Sequence, residues 1–400
     1  MIETNFKHTD IGPIPHDWEV KRLGDLMDIK SGDSITGDSF LINGKFPVYG
    51  GNGIRGFVND FNINGDYILI GRVGALCGNI HIASGKSFAS EHALVCHPNC
   101  KYNVNFLSPI LQGMNLGQYS GASAQPVLAA GKLSRLQISF PPLAEQEAIG
   151  KALSDVDGLI EGLRKLIEKK RNIKQGAMSR LLSGSLRLPN FNKPWETSTL
   201  GELGHLIPNN CLSWDCISNT GLIANIHYGQ ILTRFGAVVD ASITQLPFIH
   251  RSYESKFVNG NKAKDGDVIF ADTAEDDTVG KAIELINIGN KHIVSGLHTF
   301  WFRPDVVFAH SFLGYAVSGE TFHSQIPLLA TGTKVSSISK PNLLKLEIHY
   351  PTDLAEQSAI AKVLTDMDSE IEKLEKKLAK YERVKQGMMK QLLTGKIRLI

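Results

Sequence analysis

The segment LAEQEAIGKALSDVDGLIEGLRKLIEKKRNIKQGAMSRLLSGSLRL, residues 143–188, returns without a gap as LAEQSAIAKVLTDMDSEIEKLEKKLAKYERVKQGMMKQLLTGKIRL, residues 354–399. At this offset of 211, 24 of the 46 positions are identical. Both copies carry one apolar rhythm. Ile149, Leu153, Val156, Ile160, Leu163 and Ile167 step alternately by four and three, and Ile360, Leu364, Met367, Ile371, Leu374 and Leu378 repeat the spacing. That is the a/d seam of a coiled coil. A helix from Glu145 to Ser183 is on the order of 55–60 Å long at 1.5 Å per residue. Gly184 and Gly395 stand where such helices stop, and Pro141-Pro142 and Pro351 stand before their starts. Two equivalent seams in one chain can bury each other if the chain returns antiparallel; a homodimeric coiled-coil scaffold is the rival.

Moving outward, the rest of each half matches more weakly but in order. Trp18-Glu19 with Leu23-Gly24-Asp25-Leu26 matches Trp195-Glu196 with Leu200-Gly201-Glu202-Leu203 at offset 177. Gly65-Asp66 matches Gly266-Asp267 at 201, His92 before Pro98 matches His298 before Pro304 at 206, and Leu133 and Leu136 match Leu343 and Leu346 at 210. Offsets that grow along the chain indicate a duplication with later insertions in the second copy, most of them between Trp195 and Gly266. Short apolar runs separated by Gly, Asn and Asp, such as Tyr67 to Ile70 and Val268 to Phe270, predict short strands. The expected fold class is α+β: two similar mixed α/β domains separated by two long antiparallel coiled-coil helices, with a pseudo-two-fold internal repeat. The expected divisions are 1–140, 141–189, 190–350 and 351–400.

The bulk properties narrow the function classes. The 400 residues exceed one ordinary core, and 42% apolar with 20% charged residues describes a globular chain. A net charge of +2 requires any nucleic-acid-binding charge to be local. Five cysteines make no disulfide framework, and no apolar run reaches a membrane span or a signal peptide, so a cytoplasmic location with no membrane partner is expected.

Several short patterns imitate catalytic motifs. Gly51-Asn52-Gly53-Ile54-Arg55-Gly56 spells G-x-G-x-x-G, but the following Phe57-Val58-Asn59-Asp60 is a poor helix start. Gly85-Lys86-Ser87 lacks the first glycine of a phosphate loop, with Ile80 in its place. Phe140-Pro141-Pro142-Leu143 lacks the polar first residue of an amino-methyltransferase site. Cys96-His97-Pro98-Asn99-Cys100 and Cys211 with Cys216 have no zinc-module spacing, and buried thiols without metal are favoured. His92 and His298 read as core or loop histidines. Asp272, Glu275, Asp276 and Asp277 read as a solvated turn, with a cation-binding nuclease site as the weaker rival. No nucleophile, base and anion hole recurs in both copies. No catalytic residue and no metal ligand is therefore assigned.

The Trp-Glu-x3-Leu-Gly-[Asp/Glu]-Leu openings, the Pro-Pro-Leu-Ala-Glu-Gln-Glu-Ala-Ile stretch at 141–149 and the Lys-Gln-Gly-x-Met-x2-Leu-Leu-x-Gly stretches at 174–184 and 385–395 resemble the specificity subunit of type I restriction–modification systems. Pro47-Val48-Tyr49-Gly50-Gly51-Asn52-Gly53-Ile54 and Gly71-Arg72-Val73-Gly74-Ala75-Leu76 resemble segments of its recognition domains. The resemblance implies a chain that is itself no enzyme: each variable domain reads half of a split DNA target, and the helices act as a ruler. It implies double-stranded DNA as ligand, two modification subunits docked on the helices, and restriction subunits beside them. S-adenosylmethionine, ATP and magnesium would belong to those partners, with no cofactor in this chain. A methyltransferase or nuclease with unrecognised motifs is the enzymatic alternative. Pro351-Thr352-Asp353 replaces the first copy's proline pair and predicts a helix start shifted by one residue.

If the chain reads DNA, polar loop residues are the candidates, because Arg, Lys, Asn and Gln match base edges and phosphates. Arg55 and Arg72 fall in predicted glycine-rich loops. Ser123, Gln125 and Lys132 precede the first long helix, and Thr331, Thr333 and Lys334 occupy the corresponding place in the second half. Arg234, Arg251, Lys256 and Lys264 complete the set. The basic runs Arg164, Lys165, Lys169, Lys170, Arg171, Lys174 and Lys373, Lys376, Lys377, Lys380, Arg383, Lys385 read equally as a DNA-backbone contact and as a solvated helix flank.

Overall fold

The computed structural model describes residues 5–121, 126–332 and 334–399. The chain forms two compact units, residues 1–165 with 376–400, and residues 166–375. Each unit therefore holds one mixed domain and a portion of each long helix.

The long helices are Leu143–Leu182 and Leu354–Leu392, 40 and 39 residues. They start at equivalent leucines, so the predicted one-residue shift does not occur. In the first copy Pro142 O accepts the N–H groups of Glu145 and Gln146 at 3.0 and 3.1 Å. In the second, Asp353 Oδ1 accepts the Ala355 N–H at 3.0 Å and Asp353 O accepts that of Gln357 at 3.0 Å. A side-chain acceptor thus compensates for the lost proline pair. Both helices end alike. Gly184 and Gly395 adopt φ of +70° and +65°, and Leu186 N–H and Ile397 N–H reach back to Arg180 O and Gln391 O. This is the left-handed termination that glycine permits at least cost.

Within each unit the helices run antiparallel. In the first, Asp157 meets Lys385 at 2.6 Å and Arg164 meets Glu382 at 2.6 Å. In the second, Lys174 meets Asp368 at 2.5 Å, Arg171 meets Glu375 at 2.5 Å and Lys170 meets Glu370 at 2.7 Å. Lys174–Asp368 and Lys385–Asp157 are the same contact, displaced by 211 residues. Of the seam residues, Ile149, Leu153, Ile160, Leu163, Ile167, Ile360, Leu364 and Ile371 are buried. Val156, Met367, Leu374 and Leu378 are half-buried.

The first domain contains two four-stranded sheets. One is ordered Met27–Ser31, Ala93–Pro98, Tyr67–Gly71, Ile80–Ala83, and all its pairings are antiparallel. The other is ordered Gly53–Val58, Phe46–Gly50, Lys86–Ala89, Ile63–Asn64, with Lys86–Ala89 parallel to Phe46–Gly50. The helix Val104–Gly113, capped by Asn103, adds Phe106, Leu107 and Leu111 to a core with Trp18, Ile68, Ile70, Ile149 and Leu153.

The second domain repeats this plan. Gly204–Ile207, Thr299–Pro304, Val268–Ala271 and Ala282–Ile286 follow the first sheet's order and gain a fifth, edge strand, Val238–Asp240. Ile223–Ile226 lies parallel to His292–Ser295, as Phe46–Gly50 does to Lys86–Ala89. The extra strand and the short helices Tyr228–Thr233 and Arg251–Glu254 fall in the stretch where the offsets predict insertion. The central strands, Ile68–Gly71 and Val268–Ala271, are buried along their length, which explains why they read as continuous apolar runs.

Candidate nucleic-acid interface

The repeated Ala-Glu-Gln at the start of each long helix fastens that helix to its domain. Gln146 accepts the Asn103 N–H at 3.1 Å and donates to Pro141 O at 2.8 Å. Gln357 accepts the Ala309 N–H at 2.9 Å and donates to Pro351 O at 2.8 Å. The preceding glutamates, Glu145 and Glu356, have fully buried side chains. Arg398 clamps Glu145 through two nitrogens at 2.6 and 2.8 Å, and Trp18 Nε1 donates to it at 2.9 Å. Arg187 clamps Glu356 through two contacts of 2.6 Å. Each arginine also stands over its domain's opening tryptophan, Trp18 or Trp195. A forked guanidinium satisfies both carboxylate oxygens at once, as a buried carboxylate requires. The sequence did hold this signal: Glu145/Glu356 and Arg187/Arg398 are identical pairs at offset 211.

On the first domain, Gly51, Asn52, Arg55, Val73, Ala75, Leu76 and His92 line a recess of about 500 Å³. Arg55 stands on the strand Gly53–Val58, not in a loop as predicted, because Gly53–Val58 forms a hairpin with Phe46–Gly50. Its guanidinium lies over the Phe40 ring, 5.8 Å from the centroid. Close backbone approach shapes the recess: a Cβ on Gly71 would stand 2.2 Å from Gly51 O. Arg72, half-buried at the strand end, donates through Nη1 to Ser31 Oγ at 3.0 Å and Glu91 O at 3.4 Å. Lys132 is exposed on the short helix Ala130–Leu133 and donates to Tyr119 O at 3.4 Å. Ser123 and Gln125 lie outside the described residues.

On the second domain, a cleft of about 550 Å³ brings Trp214, Asn219, Gln230, Arg234, Gln245 and His250 together. Only Arg234 among them was singled out from sequence. Trp214 is 56% exposed and meets the buried His227 edge-on at 5.6 Å. Burial, and then the charge of His298, holds the His227 imidazole below its usual pKa. His227 continues through Tyr228 to His298 as a row of rings. Arg251 is exposed at the start of the helix that His250 caps, and Lys256 lies over the Tyr253 ring. Lys264 is exposed in a turn whose backbone is held by Asp267, the buried partner of Arg303 and Trp301. Thr331 is exposed and exchanges two backbone bonds with Ser337; Lys334 is exposed; Thr333 lies outside the described residues.

Most of the first basic run, and Lys385 of the second, are engaged with acids. Arg164, Lys170, Arg171, Lys174 and Lys385 pair with the facing helix, and Lys165 pairs with Glu161 on its own. In the acidic turn, Asp276 accepts the N–H and hydroxyl of Thr278, and Asp272 faces His298. Among the described residues no three His, Cys, Asp or Glu side chains are arranged to hold a metal. Burial pushes the Cys96 thiol up to about 12, which makes it a poor nucleophile. No helix among the described residues is long and apolar enough to cross a membrane.

A family model for the type I restriction modification DNA specificity domain matches the chain twice, over residues 15–169 and 192–383. The chain is 27% identical over 445 aligned positions to a putative type I restriction enzyme MjaX specificity subunit from Methanocaldococcus jannaschii, covering 99% of this chain and 97% of that one. It is 37% identical over 147 residues to the EcoprrI specificity subunit of Escherichia coli, a match spanning 36% of this chain and 37% of that one. The crystal structure of a type I restriction–modification S subunit from M. genitalium shares the fold, with a TM-score of 0.66, 16% identity, and coverage of 98% and 97%. The chain belongs to the type I restriction–modification DNA-specificity family and carries two copies of its specificity domain.

Proposed function

We propose that this chain is the DNA-reading subunit of a type I restriction–modification enzyme and that each of its domains meets one half of a bipartite target. One observation carries this reading: the specificity domain occurs twice, and each copy has its own recess of arginine, amide and imidazole side chains. Such groups match base edges in a groove, and arginine and lysine also match phosphates. Joining two readers in one chain makes the second contact intramolecular and raises affinity without any new type of contact. The functional divisions are 1–140 and 190–350 for reading, and 141–189 and 351–400 for spacing and docking. Two modification subunits that bind S-adenosylmethionine dock on the helices and methylate the DNA. Restriction subunits supply ATP- and magnesium-dependent cleavage, and this chain contributes no reacting group.

Methyl transfer to duplex DNA tests this. The chain alone is expected to transfer none, and the chain with its modification subunit is expected to methylate duplexes carrying one bipartite motif. Methyl transfer by the chain alone would contradict the assignment.

A further inference from the structure

The two domains share one strand end, and there they carry opposite charge. In the first, Gly71 pairs with Ala93; the next residue, Arg72, donates its N–H to His92 O at 2.9 Å and accepts from Leu128 N–H at 2.8 Å. In the second, Ala271 pairs with Thr299; the next residue, Asp272, donates to His298 O at 3.2 Å and accepts from Ile338 N–H at 3.0 Å. The residues that follow are matched too: Val73 bridges to Val127, and Thr273 pairs with Ser337. Four backbone relations therefore place Arg72 and Asp272 at the same address. No sequence offset marks them as equivalent, because their identities differ.

Their surroundings hold each side chain in a set direction. Two contacts, to Ser31 Oγ and Glu91 O, anchor one guanidinium nitrogen of Arg72, and a guanidinium has five N–H donors in all. Val73 and His92, which flank Arg72 in sequence and in space, both line the first domain's recess. Asp272 Oδ1 lies 3.3 Å from His298 Nδ1. His298 adopts φ of +54°, an unusual conformation for a residue with a Cβ, and half of its side chain is exposed. Tyr228 meets its ring edge-on at 5.3 Å. A residue held in the left-handed region, paired to a carboxylate and open to solvent, is an arrangement typical of functional sites.

We infer that Arg72 and Asp272 are counterpart specificity determinants, each reading one base edge in its own domain's half-site. Arg72 presents donors and selects an acceptor edge, that of guanine O6 and N7. Asp272, whose Oδ1 is buried against His298, has Oδ2 left as its acceptor and selects an exocyclic amino group, that of cytosine or adenine, with His298 as its positioning residue. The asymmetry of the target at this position follows from a charge reversal at one backbone address. The inference rests on the DNA-reading function proposed above.

Selection from a randomised duplex library by the full chain co-purified with its modification subunit tests it. Asp272→Asn keeps the shape and should relax or redirect preference at one base pair of one half-site by about tenfold, with the other half-site unchanged. Arg72→Gln should do the same at one base pair of the opposite half-site, and it tests the idea independently should Asp272→Asn not fold. His298→Gln should weaken the preference at the base pair that Asp272 governs. An unaltered motif in Asp272→Asn and Arg72→Gln would overturn the inference. So would equal loss on all sequences with an unchanged melting midpoint, which marks a phosphate contact. A parent that selects no motif would overturn the DNA-reading function itself, and this inference with it.

Discussion

Arg398 and Arg187 show how much can depend on one side chain. Each neutralises a glutamate that has no exposure, and each does so through a two-point contact. Removing one partner of such a pair leaves a buried, uncompensated charge at a cost of about 3–5 kcal/mol. Arg398→Ala is expected to destabilise the first unit by that amount in urea unfolding, and Arg187→Ala the second. A loss below about 1 kcal/mol, the ordinary range for a surface pair, would show that water reaches the carboxylate. Glu284 gives a pH prediction. Its carboxylate accepts Ser311 and Gly314 N–H at 2.7 Å, yet burial dominates and pushes its pKa up to about 7. The folded state therefore holds a proton that the unfolded chain releases near its ordinary carboxylate value. The resulting stability is complete below that value and is lost as pH rises through about 7. Thermal unfolding between pH 4.5 and 8 should show this decline, and Glu284→Gln should flatten it; an unchanged slope would contradict the assignment.

At the scale of elements, the helices were legible because their information is local: a period of four and three, a glycine stop and a proline break all lie within one segment. The duplication reported their pairing. The clefts were not legible. Trp214 meets Gln245 and His250 only through the pairing of Ile217–Ser218 with Phe248–Ile249, a register that neither segment announces alone. Arg55 stands on a strand for the same reason, since glycines that read as a loop lie in a hairpin. Arg398 and Glu145 are 253 residues apart, and only their identity with Arg187 and Glu356 pointed to a shared task. The helices also yield a prediction. Inserting one heptad at equivalent places in both keeps the facing seams in register and adds about 10 Å, on the order of three base pairs. The unread gap in the target should lengthen by that amount with both half-sites unchanged. Altered half-sites with an unchanged gap would contradict the ruler.

At the scale of the whole molecule, the chain puts a duplication to use: two copies of one specificity domain, held constant where they meet the helices and diverged in their recesses. The identities at offset 211 include the residues that fasten helix to domain, Glu145/Glu356, Gln146/Gln357 and Arg187/Arg398, whereas the two recesses are lined by different residues. The most direct test is sequencing of methylated positions in the DNA of a host that carries this chain with its modification subunit. The account predicts one motif with two specified parts separated by an unspecified stretch of fixed length. A single continuous motif, or methylation without sequence preference, would contradict it.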